Sequence, residues 1–479
     1  MKQESIAHKT AQTSLWGAVE KIASMGVQFI VTMVLARLLS PEDYGLIAMI
    51  MVFIAISQQF VECGIVNALI RKNDCTSIDY STAFYFNIFI AFIVYAILIC
   101  IAPLISHFYG VLLLTPIIRI YGICIILQSF TLVQNAILIK ELKAKKLAFI
   151  TTISSLLSGV VGIICAYMGT GVWALVVQSL LSAFLTNLLL WTKTNWKPSI
   201  EFSRESMNYL WSFGSKMLLT GIISSIYRNI YSIVIGKKFD MASVGVFNRG
   251  QKLAELFPEI MQSVFVRNSL PIMANVQNDK THLVHVYREF IILVSFLTFP
   301  VVFLLGVLAK PFVLFFLSEK WIESVIFVQM FCIVCITYPP NAVNLNLIQV
   351  YGRSDITLKA EIIKKTIGII VVFAMLPFGL IPLACGSCVM YVLAYAVNLF
   401  YAKKIAGISF ASQLLDIKPC FVSSIVMAIS VYLSCMEIEI PFLQLAVGTL
   451  VGGVVYFCMT KYVYKLDVYN KIINIINKK

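Results

Sequence analysis

Residues 209–259 read YLWSFGSKMLLTGIISSIYRNIYSIVIGKKFDMASVGVFNRGQKLAELFPE. Two hydrophobic segments, 209–235 and 243–266, flank a short polar turn, and segments of this length are typical of membrane-spanning helices. The same segments carry six charged residues: Lys216, Arg228, Arg249, Lys252, Glu255 and Glu259. A charge at membrane depth is costly and normally faces a water-filled cavity or a protein partner. The stretch therefore predicts two membrane helices with a functional polar face.

Composition extends this interpretation to the whole chain. Of the 479 residues, 60% are hydrophobic and only 13% are charged, and the mean hydropathy is +0.90. A soluble domain of this length has too little interior for so much apolar surface. We therefore predict an all-α, polytopic membrane protein.

A hydropathy scan divides the chain into about fourteen transmembrane helices. The predicted spans are 13–36, 44–66, 82–106, 111–138, 148–168, 171–192, 209–235, 243–268, 289–316, 323–350, 360–377, 379–401, 418–436 and 441–464.

The basic residues test this division. The net charge of +14 could indicate a nucleic-acid partner, but most loop bases fall in alternate aqueous segments. The other set of loops holds only Arg37, Lys237, Lys238, Lys310 and Lys320. This asymmetry is what the positive-inside rule predicts for an even number of helices with both termini in the cytoplasm. We expect a multi-pass membrane protein with both termini in the cytoplasm and no nucleic-acid partner.

The sequence repeats at a spacing of about 200 residues, as expected for the parallel repeats of some transporters. Residues 38–46 (LLSPEDYGL) correspond to residues 238–246 (KFDMASVGV). Six helices per repeat give both copies the same orientation. The repeat predicts an N-terminal lobe (1–205, helices 1–6), a C-terminal lobe (206–405, helices 7–12) and two further helices with a tail (406–479). We expect the two lobes to surround a central cavity.

Polar residues on the first, seventh and eighth spans recur at helical spacing and share one face of each helix. Such a face must contact water or protein rather than lipid. Because the intramembrane bases outnumber the acids, the predicted cavity suits an anionic substrate, which Arg can bind through paired hydrogen bonds. The predicted substrate-binding residues are Lys21, Gln28, Arg119, Lys216, Arg228, Arg249, Lys252 and Glu255.

Structural roles compete with this assignment. Lys252 and Glu255 are three residues apart on one predicted helix and could satisfy each other. Arg119 could extend to the outer membrane interface.

The sequence contains no nucleotide-binding motif, nucleophile motif or metal-ligand cluster of recognisable spacing. The twelve cysteines are scattered through apolar segments, so we expect buried thiols and no disulfides. We therefore expect no catalytic residues, no metal and no cofactor, and the protein is not predicted to be an enzyme.

Several short segments resemble a known family. They include Ser14-x-Trp16-Gly17, residues 35–46 (LARLLSPEDYGL), Cys63-Gly64 followed by residues 68–72 (ALIRK), residues 169–176 (GTGVWALV), Ile235-Gly236-Lys237 and Gly352-Arg353. In this order they resemble the polysaccharide transporter family, the Wzx-type flippases (WzxC-like branch) of the multidrug/oligosaccharidyl-lipid/polysaccharide (MOP) exporter superfamily. Two positions depart from the pattern. Ser318-Glu319 stands where relatives often have a glycine before Lys-Trp, and Arg228-Asn229 replaces a common acidic residue.

The resemblance implies a flippase that moves undecaprenyl-pyrophosphate-linked oligosaccharide units from the cytoplasmic to the outer leaflet by alternating access. These units would be precursors of O-antigen, capsule or exopolysaccharide, and a polysaccharide polymerase is a possible partner. The alternatives are a cation-coupled drug or metabolite antiporter, a lipid II flippase and a membrane-embedded glycan polymerase or ligase. The antiporter would favour intramembrane carboxylates, and the polymerase would need a large outer loop that this sequence lacks.

Overall fold

A computed structural model of the chain describes residues 25–72, 74–141 and 143–466, except for the side chains of 144, 213, 216, 264, 267 and 354. The helices separate into two compact units, Met1–Gly245 and Val246–Lys479. The predicted lobes, with their boundary at residue 205, stay a prediction.

Unit 1 holds the first seven helices and the start of the eighth. Their bounds are α1 Met25–Leu38, α2 Pro41–Glu62 with a continuation Ile65–Arg71, α3 Ser77–Tyr109, α4 in three pieces Leu114–Tyr121, Ile123–Ser129 and Leu132–Lys140, α5 Ala144–Tyr167, α6 Val172–Lys193 and α7 Arg204–Lys238.

The remaining helices lie in unit 2, apart from the first turn of α8. Their bounds are α8 Met241–Met261, continued by a π-helical turn Gln262–Val266 and by Arg267–Asn275, α9 Lys280–Val307 with Ala309–Phe316, α10 Ser324–Cys335 with Tyr338–Val350, α11 Ser354–Met375, α12 Leu380–Ala406, α13 Phe410–Cys435 and α14 Pro441–Cys458 with a π-helical turn Met459–Val463.

The all-helical fold predicted from the sequence is confirmed. Every predicted span coincides with helix in the described part of the chain. There, ten helices are long and apolar enough to cross a membrane, and α4, bent by 42°, makes eleven. The protein is therefore a multi-pass membrane protein. For α1, which is short in its described part, and for α8 and α11, which carry several charges, membrane crossing stays a prediction.

Two repeat-related helices start with the same capping device. The Ser40 hydroxyl accepts a hydrogen bond from the backbone N–H of Asp43 (3.3 Å), whose carboxylate accepts one from the Ser40 N–H (3.0 Å). At the start of α8, the Asp240 carboxylate accepts from the Ser243 N–H (2.7 Å). Such caps satisfy N–H groups that the first helical turn leaves unpaired.

The same two helix starts cross each other without space for side chains. A Cβ atom on Gly45 would lie 1.9 Å from the Met241 carbonyl oxygen, and one on Gly245 would lie 2.0 Å from the Pro41 carbonyl oxygen. In the sequence repeat, Gly45 corresponds to Gly245 and Pro41 to Met241. The contact is therefore reciprocal between the two copies, and each copy needs glycine at the same position.

A buried carboxylate fixes the start of α3 in unit 1. Asp79, only 2% exposed, forms an ion pair with Lys72 (2.7 Å) and accepts a hydrogen bond from the Ser206 hydroxyl on α7 (2.6 Å). It also caps α3 together with Thr76. The bond to Asp79 raises the pKa of Lys72. Asp79 thus joins the α2–α3 loop to the beginning of α7.

In unit 2, a polar network attaches α13 to three other helices. Gln413 on α13 donates to the hydroxyl of Tyr287 on α9 (2.7 Å) and to Asn344 on α10 (3.1 Å), and it accepts from Tyr395 on α12 (2.7 Å). Tyr287 also donates to Asn344. Because these hydrogen bonds join four helices in the interior, the network fixes α13 on three other helices, while the Nδ2 atom of Asn344 is left without a partner in the described structure.

Candidate functional site

A cavity of about 530 Å³ lies inside unit 1, among α1, α2, α4, α5 and α6. Its polar lining consists of Gln28, Thr32, Tyr44, Glu62, Gln128, Thr131, Asn135, Ser155, Ser158, Gln178, Ser179, Ser182 and Thr186. Hydroxyl and carboxamide groups dominate this wall. Glu62 is the single charged residue among the side chains that line it, and no lysine or arginine of the described chain does so.

Small residues on α5 shape the wall of the cavity. A Cβ atom on Gly159 would lie 2.6 Å from the side chain of Val31 on α1, and one on Gly162 would lie 2.9 Å from Gln178 on α6. These two glycines bring α1 and α6 close to α5. Ser155 and Ser158, on the same helix, then present hydroxyl groups to the space between the helices. The opposite face of α5 exposes apolar side chains such as Leu156 and Leu157, which suits contact with lipid.

Part of the lining is already hydrogen-bonded. The hydroxyl of Thr131 donates to the backbone oxygen of Gln128 (2.8 Å), and the Gln128 side-chain oxygen accepts from Gln58 (2.8 Å). Other groups are not paired within the described residues. The Asn135 Oδ1 atom is buried without a hydrogen-bond partner, and no hydrogen bond of the Gln178 side chain is present. The cavity therefore offers the carboxamide of Gln178 to a ligand.

The structure places the predicted site residues in different environments. Gln28 lines the cavity in unit 1. Arg119 and Arg228 are exposed and do not line it. Lys21 and the side chain of Lys216 lie outside what the structure describes.

The predicted residues of α8 make contacts of their own in unit 2. Arg249 is 7% exposed, and its guanidinium lies 5.7 Å from the ring centroid of Trp321. Glu255 accepts hydrogen bonds from Tyr391 on α12 and from Gln251 (2.8 Å for Gln251).

The charged neighbours Lys252 and Glu255 form no ion pair in the described structure, and Lys252 is exposed. The pairing that their spacing allowed is therefore not formed. Glu255 has uncharged partners instead, and one of them comes from a distant helix.

Most of the cavity wall was not predicted from the sequence, because the predicted site residues were chosen mainly for their charge. A weaker signal was present, since Gln178, Ser182 and Thr186 recur every four residues on α6, and Ser155 and Ser158 are three residues apart on α5. Such spacing places polar side chains on one helix face. In the described residues, no group of three or more His, Cys, Asp or Glu side chains is arranged to hold a metal ion.

Comparison with known proteins identifies related sequences and folds. A model of the family described as "Polysaccharide biosynthesis protein" matches residues 34–326, more than half of the chain. The lipopolysaccharide biosynthesis protein WzxC of Escherichia coli (strain K12) is 22% identical over 422 residues, which cover 86% of this chain and 85% of WzxC.

Among solved structures, the lipid II flippase MurJ in an inward closed conformation aligns with a TM-score of 0.77 at 16% identity, covering 94% of this chain and 99% of MurJ. An inward-facing multidrug resistance MATE family transporter of the MOP superfamily aligns with a TM-score of 0.64 at 15% identity, covering 81% and 98%. At these identities the likeness shows a common fold.

Proposed function

Because the chain belongs to the polysaccharide biosynthesis protein family, we propose that it is a flippase for polyprenyl-pyrophosphate-linked oligosaccharides. It moves these units from the cytoplasmic to the outer leaflet by alternating access. The observation that carries the proposal is the polar cavity of unit 1. A water-compatible space inside a helical membrane protein allows a hydrophilic headgroup to avoid the lipid interior. The protein makes and breaks no bond and is not an enzyme.

The pyrophosphate is assigned to bases outside the cavity of unit 1. Arg228 and Arg119 are exposed on membrane-embedded helices, so their guanidinium groups are accessible to a phosphate. Lys21 and Lys216 are proposed to act in the same way, on the basis of their positions in the sequence. Arg249 is given a structural role because it is buried against Trp321.

The polyprenyl tail is assigned to an apolar surface. A cavity of about 560 Å³ in unit 2 lies among α9, α10, α12 and α13 and is lined by apolar side chains such as Phe299, Pro340 and Phe421. Lys418 lines the same cavity. A hydrocarbon chain buries apolar area there, and the adjacent ammonium group attracts the phosphate of the same lipid.

The proposal also covers location and partners. The protein is placed in the bacterial cytoplasmic membrane with both termini in the cytoplasm, as the positive-inside distribution of its loop bases supports. A polysaccharide polymerase would use the delivered units.

The test is deletion of the gene in its own host, followed by complementation of the deletion strain with plasmid-borne variants. We expect lipid-linked precursor to accumulate on the cytoplasmic side and surface polysaccharide to be lost. Wild type should restore the polymer, whereas Arg228→Glu should not, at equal protein level. Lys310→Glu, which reverses an exposed base near the start of Ala309–Phe316, is the matched control and should restore it. Precursor that reaches the outer leaflet at the normal rate in the deletion strain would refute the function.

The same deletion strain separates the alternatives. Accumulation of lipid II in place of the polysaccharide precursor would indicate a lipid II flippase. Hypersensitivity to cationic drugs with normal polysaccharide would indicate an antiporter.

A further inference from the structure

The cavity of unit 1 has a chemistry that the proposed phosphate and lipid contacts do not explain. A phosphate site needs positive charge, and no base of the described chain lines this cavity. A site for the polyprenyl tail would be apolar, whereas this wall is dominated by hydroxyl and carboxamide groups. The described wall of the cavity therefore suits neither end of the lipid pyrophosphate.

Hydroxyl and carboxamide groups match one part of the substrate, the sugar. Each sugar hydroxyl both donates and accepts hydrogen bonds, and a carboxamide offers a donor and an acceptor from one side chain. Gln28, Gln128, Asn135 and Gln178 supply four such groups. The carboxylate of Glu62 accepts from hydroxyls but repels an acidic sugar. The wall thus favours uncharged sugars.

Two of the side chains that line the cavity have unpaired polar groups. In a protein interior, nearly all buried polar atoms are hydrogen-bonded. The buried Oδ1 of Asn135 has no such partner in the described structure, and Gln178 is held beside Gly162 without a hydrogen bond of its own. The volume, about 530 Å³, lies within the range of roughly 300–1,000 Å³ for small-molecule sites.

We propose that this cavity is a binding subsite for one or more uncharged sugars of the lipid-linked glycan. The inference rests on the proposed function and adds to it a division of labour. Bases elsewhere bind the pyrophosphate, and the wall of hydroxyl and carboxamide groups in unit 1 binds the glycan and distinguishes it from the bare lipid carrier.

Two probes test the subsite on the full-length protein in lipid nanodiscs. The first is the lipid-linked glycan pool extracted from the cell that carries this protein. The second is undecaprenyl pyrophosphate, which has no sugar, at the same phosphate concentration. The readout is the dissociation constant from titrated thermal stabilisation. We expect the glycan pool to bind about 10-fold more tightly or better, because sugar hydroxyls satisfy wall groups that are otherwise unpaired.

Variants of α6 locate the effect. Ser182→Phe places a ring in the cavity and should abolish the preference for the glycan pool, while binding of undecaprenyl pyrophosphate is unchanged. Val177→Phe adds a ring to the exposed face of the same helix and should keep the preference.

A second substitution separates binding from folding. Asn135→Leu removes an unpaired polar group, so the melting temperature of the ligand-free protein should stay the same or rise. The preference for the glycan pool should nevertheless fall severalfold. If Asn135 has only a structural role, this variant will bind both probes as wild type does, which would refute the assignment of that residue to the subsite.

The outcomes distinguish the two levels of the proposal. Equal binding of both probes by the wild type, or an unchanged preference in Ser182→Phe, would overturn the sugar subsite and leave the flippase function in place. Binding of neither probe would overturn both.

Discussion

The cavity of unit 1 and the network around Gln413 in unit 2 are made of the same kinds of side chain, but they use them in opposite ways. Around Gln413, the polar groups of Tyr287, Asn344 and Tyr395 are turned towards one another and hydrogen-bonded, although the Nδ2 atom of Asn344 has no partner in the described structure. In the cavity, the Gln178 side chain lines the open space and makes no hydrogen bond in the described structure, and the Oδ1 atom of Asn135 in the wall is buried and unpaired there.

This difference shows how to separate structural from functional polar residues in membrane helices. A closed network stabilises helix packing because each group satisfies another. An open wall contributes little to packing, and its polar groups are accessible to a ligand that enters the cavity. Residue type alone does not distinguish the two, since glutamine, asparagine and tyrosine occur in both.

The largest effect is expected where no space exists at all, at the crossing of α2 and α8. Gly45→Ala places a Cβ within 1.9 Å of the Met241 carbonyl oxygen, so the backbone must shift, at a cost of about 3 kcal/mol or more. Gly453→Ala, on α14 with no neighbouring atom within 4 Å, is the control and should be neutral or stabilising. The measurement is the thermal unfolding of the purified variants. A wild-type melting temperature for Gly45→Ala would show that the crossing is loose.

The comparison itself is tested by the same substitution in both regions. Gln413→Leu leaves Tyr287 and Tyr395 without their partner and should lower the free energy of unfolding by about 3 kcal/mol. Gln178→Leu should change it by less than about 0.5 kcal/mol, because no hydrogen bond is lost.

Surface polysaccharide should show the reverse order for the same pair. Gln178→Leu should reduce it at normal protein level, whereas Gln413→Leu should reduce it only in proportion to the protein lost. Equal destabilisation by both substitutions would remove the distinction between closed and open polar groups.

Two carboxylates offer a second matched pair. Asp79→Asn disrupts an ion pair with Lys72 and a bond from Ser206, and should destabilise the protein by about 2 kcal/mol. Glu62→Gln affects a carboxylate with no ion pair in the described structure and should leave stability within about 0.5 kcal/mol. Chemical denaturation of both variants measures the difference. A loss of stability in Glu62→Gln as large as in Asp79→Asn would place Glu62 among the structural residues.

The smallest effect is expected in the loop between α9 and α10. Ser318 has φ = 111° and ψ = 173°, a conformation that is essentially limited to glycine and costs other residues about 1–3 kcal/mol. Ser318→Gly should therefore stabilise the protein by about 1 kcal/mol, measured as a small rise in melting temperature. Ser318→Ala, which removes only the hydroxyl, should not produce this rise.

Sequence analysis was most successful for properties that belong to single segments. Hydropathy located helix at every predicted span. The spacing of polar residues in the first span predicted a polar face on α1, and Gln28 and Thr32 of that face line a cavity. The repeat also aligned Gly45 with Gly245, and the structure shows that each of these glycines packs against the backbone of the other repeat copy. Contact partners were predicted least well, because charge density does not reveal that Arg249 is buried against Trp321, and a ligand-binding role of Arg249 stays a prediction.

The amino-acid sequence was sufficient to identify a multi-pass helical membrane protein of a polysaccharide biosynthesis family. It could do so because hydrophobic length, turn residues and motif order are local properties of the chain. Which polar groups are hydrogen-bonded to each other and which line a cavity depends on the tertiary structure. That outcome depends on the rotation and approach of whole helices, as when Tyr391 reaches Glu255 from α12 or when glycines on α5 bring α1 and α6 together. Contacts between distant segments arise from packing, and no local pattern encodes them.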